Sequence, residues 1–246
     1  MMTSKTNVSM LLMGATSILL LSMTFYNPIS TISAYASYGY TPSSSTHSMK
    51  SCSGHLSQNS DFSNCDLKNL NLSFRNLSGI NLSGANLQGV RLYGTDLSGA
   101  NLSGANLSGA NLNYVIFSGA NFVGATAQNT DFYQSNLSGA NMKKANFQGS
   151  TFAGVNFQKA DLSGANLSGI RSIASSFVSA TLSKADLSNA NLRSSDLTGA
   201  NLSGANLQSS DVSYAILAGA DLSGANVSGM ATAGTDRSCH GNPICH

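Results

Sequence analysis

Leu or Phe stands on every fifth residue from Phe62 to Val227, without a change of phase. Only Ala127, Met142, Ser172, Val212 and Val227 take its place. An α-helix turns about 100° per residue, so successive members of such a series would drift by roughly 140° and scatter around it. A straight strand fails as well, because an odd spacing sends alternate side chains to opposite faces. Every member can face one interior only if the chain turns a corner once per unit. In Ala100-Asn101-Leu102-Ser103-Gly104 the small residue and the leucine are two apart, so both point inward along an extended stretch while Asn101 points out. Ser103-Gly104 then supplies the polar, permissive corner. A disordered Asn/Ser/Gly polymer would need no apolar residue at a fixed phase, so low complexity alone does not account for the chain.

The A-(D/N)-L-x-x pattern, unbroken through residues 59–229, resembles the pentapeptide repeat family. The resemblance implies an all-β fold, a right-handed quadrilateral β-helix in which four repeats make one square turn. With one turn per four repeats, the block makes about eight to nine coils, and at about 4.8 Å per coil a rod roughly 40 Å long. Such solenoids are held by stacking of neighbours and need protected ends. On a twenty-residue turn Ala127 stacks beside Phe147 and Ser172 beside Phe152. A large ring next to a missing side chain is what close packing asks for.

Residues 1–36 read as a secretory signal peptide, with Lys5 before an apolar run from Val8 to Phe25 and a small-x-small site at Ala34-Tyr35-Ala36. The run is long for a signal core, so an uncleaved N-terminal membrane anchor is the alternative. Residues 37–58 read as a linker and entry cap, and 230–246 as a Cys/His-containing tail outside the repeats. The predicted localisation is secreted or extracytoplasmic, at the periplasm or cell surface. The four cysteines, Cys52, Cys65, Cys239 and Cys245, lie at the two ends of the rod, and an even count in an exported chain favours disulfides. Ends roughly 40 Å apart cannot be bridged, since a disulfide needs α-carbons within about 7 Å, which leaves Cys52–Cys65 and Cys239–Cys245. The rival for the tail is a metal held by Cys239, His240, Cys245 and His246. Their spacing fits no standard zinc or haem pattern.

The repeats contain no His, Glu or Trp, and no serine there has a base at a predictable distance. Every carboxylate is an Asp in the outward slot, and none stacks on another Asp twenty residues away, so paired carboxylates for acid–base work or calcium are missing. No enzyme, cofactor or metal site is predicted. The family's best-known role is DNA mimicry by an acidic rod that binds topoisomerases. Here the net charge is +2, or +1 without Lys5, so that role does not carry over. Dispersed Lys and Arg predict no nucleic-acid partner either. The many Asn-Leu-Ser triplets match the glycosylation sequon only because the repeat spells them.

One surface pattern stands out. On a twenty-residue turn the outward aromatics Phe74, Tyr93, Tyr114, Tyr133 and Tyr214 all fall on the face centred on Leu72, Leu92, Leu112, Phe132, Phe152, Ser172, Leu192 and Val212. Arg91, Arg171, Arg193 and Ile173 join them, whereas Lys68, Lys143, Lys144, Lys159 and Lys184 lie elsewhere. Aromatics with Arg and little Lys make the composition of a contact surface. The sequence therefore predicts a non-catalytic exported solenoid that binds a protein partner, or a second rod, through this face. A glycan- or lattice-binding surface is the alternative, although regular outward Thr is lacking. A membrane enters only if the N-terminal segment is retained.

Overall fold

The computed structural model describes Cys52 and residues 54–245, which fall in one compact unit, Ser44–His246. The expected signal segment, 1–36, lies outside the described residues, as do most of 37–58 and His246. Among the described residues there is no helix. Parallel β-bridges join each outward-slot residue to the one twenty further on, as in Asn81 to Asn101 and Asn101 to Asn121. Two-residue turns close every five-residue unit, so each coil has four sides. They are called here the Phe62, Leu67, Leu72 and Leu77 faces. The bridges run on past the last apolar beat, through Ala231 and Asp236, to His240.

The unit is dictated by its backbone donors, all of which must be satisfied once water is excluded. The Asn121 N–H donates to Ala100 C=O at 2.9 Å, Leu102 N–H to Asn121 C=O at 2.7 Å, and Gly104 N–H to Val123 C=O at 2.9 Å, all between coils. Ala105 N–H returns to Leu102 C=O at 3.0 Å, closing the corner. The remaining donor, Ser103 N–H, finds the Asn101 side-chain Oδ1 at 3.2 Å. The same side-chain bond forms wherever Asn or Asp holds the outward slot from Asp61 to Asp236. The sequence reading placed Asn on the outside; this bond is the reason it is Asn.

The central residues and the small residues two places before them form the interior, nearly all fully buried. Each buried Leu or Phe contributes about 1.5–3 kcal/mol by leaving water. Phe117, Phe122, Phe132, Phe147, Phe152, Phe157 and Phe177 join in one ring network, with Phe132 on Phe152 at 4.6 Å and Phe157 on Phe177 at 4.6 Å. The network occupies the layers where Ala127 and Ser172 lack a large side chain, as the sequence pattern predicted. Inward hydroxyls are bonded to corner carbonyls, for example Ser150 to Ala127 C=O and Ser195 to Ser172 C=O, both at 2.6 Å. The Ser172 hydroxyl, fully buried, has no partner.

Disulfides close both ends. Cys52–Cys65 and Cys239–Cys245 have α-carbon separations of 5.7 Å and 5.0 Å. The pairing is the one chosen by distance from the sequence, and it removes both thiols that a metal in the tail would need.

Two pairs of substitutions test this account by urea unfolding. Gly84 and Gly104 share φ near +65°, but a Cβ on Gly84 would fall on Asn64 Oδ1, whereas Gly104 faces open space. Gly104→Ala should cost about 1 kcal/mol, the left-handed penalty alone, and Gly84→Ala that penalty plus the cost of turning the Asn64 side chain aside. Ser172→Ala should stabilise by about 1 kcal/mol by removing an unpaired buried hydroxyl, while Ser150→Ala should destabilise by a similar amount.

Candidate functional site

The aromatic side chains project from the corner that closes the Leu72 face, where bulk is least expected. The second corner residue has φ near +60°, a region that suits Gly and penalises bulky side chains. Phe74 and Tyr114 sit there at +59° and Tyr214 at +61°. Tyr93 and Tyr133 occupy the preceding corner position, so the rings alternate between two columns.

Four of the predicted residues meet. Ring centroids are 5.3 Å apart for Phe74–Tyr93, 5.2 Å for Tyr93–Tyr114 and 5.5 Å for Tyr114–Tyr133. Planes cross at 64°, 57° and 83°, so the outer two pairs meet edge to face, the Tyr93–Tyr114 pair is tilted, and the rings do not form a flat platform. Such pairs contribute about 0.5–1.5 kcal/mol each beyond burial. Backbone bonds hold the register, with Phe74 N–H on Tyr93 C=O and Tyr114 N–H on Tyr133 C=O, both at 2.9 Å. Phe74 is 76% exposed and the three tyrosines 39–41%. Asn113 braces the strip, its Nδ2 donating to Asp131 at 3.0 Å while its Oδ1 accepts Tyr133 N–H at 2.9 Å.

Tyr214 belongs to a separate cluster further along the same face. Arg193 pairs with Asp211 at 3.1 Å and lies 5.4 Å over the Tyr214 ring. Arg91 and Arg171 are exposed and make no ion pair among the described residues, and Ile173 is half-buried. The face thus divides into an aromatic ladder and a cationic cluster. Sequence reasoning missed Ile116 and Ile216, 42% and 43% exposed on the neighbouring Leu77 face. Their signal was available, since both put a large aliphatic side chain in the slot that mostly holds Asn or Asp.

No group of three His, Cys, Asp or Glu residues among the described residues could hold a metal ion. A shallow, open depression lined by Asn129, Gln148, Gly149, Ser168, Gly169 and Asn189 lies on another corner. Desolvation, and then the phenols of Tyr133 and Tyr93, push the Tyr114 hydroxyl above its ordinary range. The Ser213 hydroxyl first, helped by its N–H and by Arg193, holds the Asp211 carboxyl below the usual range against desolvation. At Asp161 desolvation is the largest effect, but bonds from Ser163 and Lys143 together outweigh it and lower the pKa. Bonds from Ser223 and Ser238 lower Asp221 and Asp236.

The family model described as Pentapeptide repeats matches residues 65–104, 100–139, 130–169, 175–213 and 200–230, well over half the chain. No curated protein matches. Among solved structures, the chain is similar to a pentapeptide repeat protein from the Arabidopsis thaliana thylakoid lumen, at 34% identity over 35% of this chain and 59% of that one, with a TM-score of 0.34. The match therefore spans less than two thirds of that protein's length. Similarity to HetL, a pentapeptide repeat protein involved in heterocyst differentiation regulation from the cyanobacterium Nostoc sp. strain PCC 7120, is 25% over 75% of this chain and 92% of that one, with a TM-score of 0.27. For QnrB1, a plasmid-mediated fluoroquinolone resistance protein, it is 20% over 70% and 91%, with a TM-score of 0.43.

The lowered carboxylates fix the sign of acid sensitivity. Asp161, Asp211, Asp221 and Asp236 bind protons less readily folded than unfolded, so their contribution is present above the ordinary carboxylate range and lost as pH falls through the depressed folded values. The thermal midpoint should be flat from neutral pH to about 5 and fall below about 4. A calorimetric pH series checks this, and Lys143→Met should blunt the decline.

Proposed function

Because this chain belongs to the pentapeptide repeat family, we propose that it is a non-catalytic scaffold, exported from the cell, that binds a protein partner through the corner closing the Leu72 face. The observation that carries the reading is the continuous strip of exposed rings from Phe74 to Tyr133. Two of its members, Phe74 and Tyr114, occupy left-handed corners where Gly would cost about 1 kcal/mol less. A binding role accounts for rings kept against that penalty. The cluster of Arg193, Asp211 and Tyr214 supplies a second, charged contact on the same face, with Arg91, Arg171 and Ile173 along it. Export is supported by the apolar segment within 1–36 and by two disulfides. The rod then spans about eight to nine coils, at about 4.8 Å each, with a cap at 37–58 and a closing tail at 230–246.

Other occupants fit less well. Sugar rings stack on open, near-coplanar aromatic faces, and these planes cross at 57° to 83°. A lattice binder needs a regular outward array, but the Leu72-face slot runs Asn71, Arg91, Asn111, Asp131, Thr151, Arg171. A near-neutral rod does not replace the phosphates of DNA.

The test compares the full chain with its Tyr93→Ser, Tyr114→Ser, Tyr133→Ser variant in binding to envelope proteins of the producing cell, followed in solution by light scattering. Partner binding should be lost while the variant stays folded, its stability lower only by the ring contacts, about 0.5–1.5 kcal/mol each. Equal retention of the same proteins by both chains would overturn the reading. Retention of an immobilised glycan by the parent alone would favour the alternative.

A further inference from the structure

Three of the four ladder rings are phenols, and they are held in a geometry that matters for more than contact. Tyr114 stands between Tyr93 at 5.2 Å and Tyr133 at 5.5 Å, and its N–H is bonded to the Tyr133 carbonyl at 2.9 Å. We propose that Tyr93, Tyr114 and Tyr133 are an oxidative cross-linking site, at which Tyr114 couples to one of its two neighbours as dityrosine and joins consecutive coils covalently.

The step balances. A haem peroxidase with hydrogen peroxide takes one electron and one proton from each of two phenols, giving two phenoxyl radicals and two molecules of water. The radicals combine through their ortho carbons, and the two ortho hydrogens move to the oxygens as the rings regain aromaticity. The net change in the protein is the loss of two hydrogen atoms and the gain of one carbon–carbon bond.

Four features of the rod favour this outcome over random coupling. Neighbouring phenols are fixed side by side by a hydrogen-bonded backbone, so coupling becomes an event within one molecule, without a search for a partner. Each tyrosine is 39–41% exposed, enough to give up an electron to an external oxidant. The ladder is bounded, since Phe74 at one end cannot form a phenoxyl radical and Ala153-Gly154 follow one coil beyond Tyr133. Tyr214 has a guanidinium and not a phenol beside it, which makes it an internal control. The two disulfides place the chain in oxidising surroundings, and they tie down only its ends. A bond at Tyr114 would tie the body of the rod. The inference does not rest on the partner reading, and a partner seated on this corner would shield the same rings.

Dilute full-length chain, treated with hydrogen peroxide and a haem peroxidase, tests it directly. Dityrosine emission is read without interference because the chain has no Trp. Trypsin cutting after Arg91 and Lys143 releases residues 92–143, which contain all three ladder tyrosines and no other. The expected product is a monomer whose 92–143 fragment is lighter by two hydrogens. Tyr114→Phe should abolish that loss, and Phe74 shows that such a corner accepts Phe. Tyr214→Phe should leave it unchanged. Should Tyr114→Phe fail to fold, the Tyr93→Phe, Tyr133→Phe double variant isolates Tyr114 and must lose the bond as well. An unaltered 92–143 fragment in the parent chain, with dityrosine confined to intermolecular dimers, would overturn the proposal, as would a cross-link surviving Tyr114→Phe.

Discussion

One backbone donor governs this rod. Four of the five N–H groups in the typical unit reach carbonyls on the adjoining coils or across their own corner, with a serine hydroxyl standing in at Thr130 and Ser175. The donor just after the central apolar residue has no carbonyl within reach, and an Asn or Asp side chain two residues earlier accepts it. That requirement reserves the outward slot for a short side chain with an acceptor, while packing reserves the two inward slots for Leu, Phe and small residues. The corner positions vary most freely. Most of the long side chains are found there, among them Tyr93, Tyr133, Lys143 and Arg193 at the first corner position, and Phe74, Tyr114, Lys144, Lys184 and Tyr214 at the second, while Arg91 and Arg171 are exceptions in the outward slot. The chemistry this surface can carry is set by what a turn will tolerate.

Much of this was legible in the sequence. An odd period that keeps Leu in phase admits only a chain that turns at each unit, and the resemblance to the pentapeptide repeat family supplied the four corners that make a twenty-residue coil. Cysteine pairing followed from distance, since a rod keeps its ends apart. Placing the aromatics on one face needed only the remainder after division by twenty. What spacing could not convey was contact. Phe74, Tyr93, Tyr114 and Tyr133 touch because they alternate columns in successive coils, whereas Tyr214 is too far along to join them. Ser150, in the small inward slot, is bonded and Ser172, in the central slot, is not, although both are inward and buried. That difference depends on where a carbonyl lies in the coil before.

Irregularity is unevenly shared among the four faces. On the Leu67 face the small inward residue is Ala from Ala85 to Ala225, and on the Phe62 face from Ala100 to Ala220. The other two carry Val90, Thr130, Ser150 and Ile170, or Thr95, Val115, Ser135, Val155 and Ser175. The same two faces bear most of the outward exceptions, among them Arg91, Ile116, Arg171 and Ile216. Inside and outside therefore depart from the consensus together. The exposed rings stand on the corner that closes one of these two faces.

A twenty-residue coil made of four equal units also behaves as a counter. Deleting one unit between Gln134 and Asn191 would leave each later residue in its own slot, inward or outward, and keep the corner chemistry intact. It would nonetheless carry Arg193 and Tyr214 a quarter turn around the axis, away from the ladder at Phe74 to Tyr133. Four units lost or gained together would shorten or lengthen the rod and restore the alignment. Copy number in this stretch thus leaves slot identity unchanged, though not the ring packing beside Ser172, and is fixed, modulo four, for any surface that must read both clusters at once.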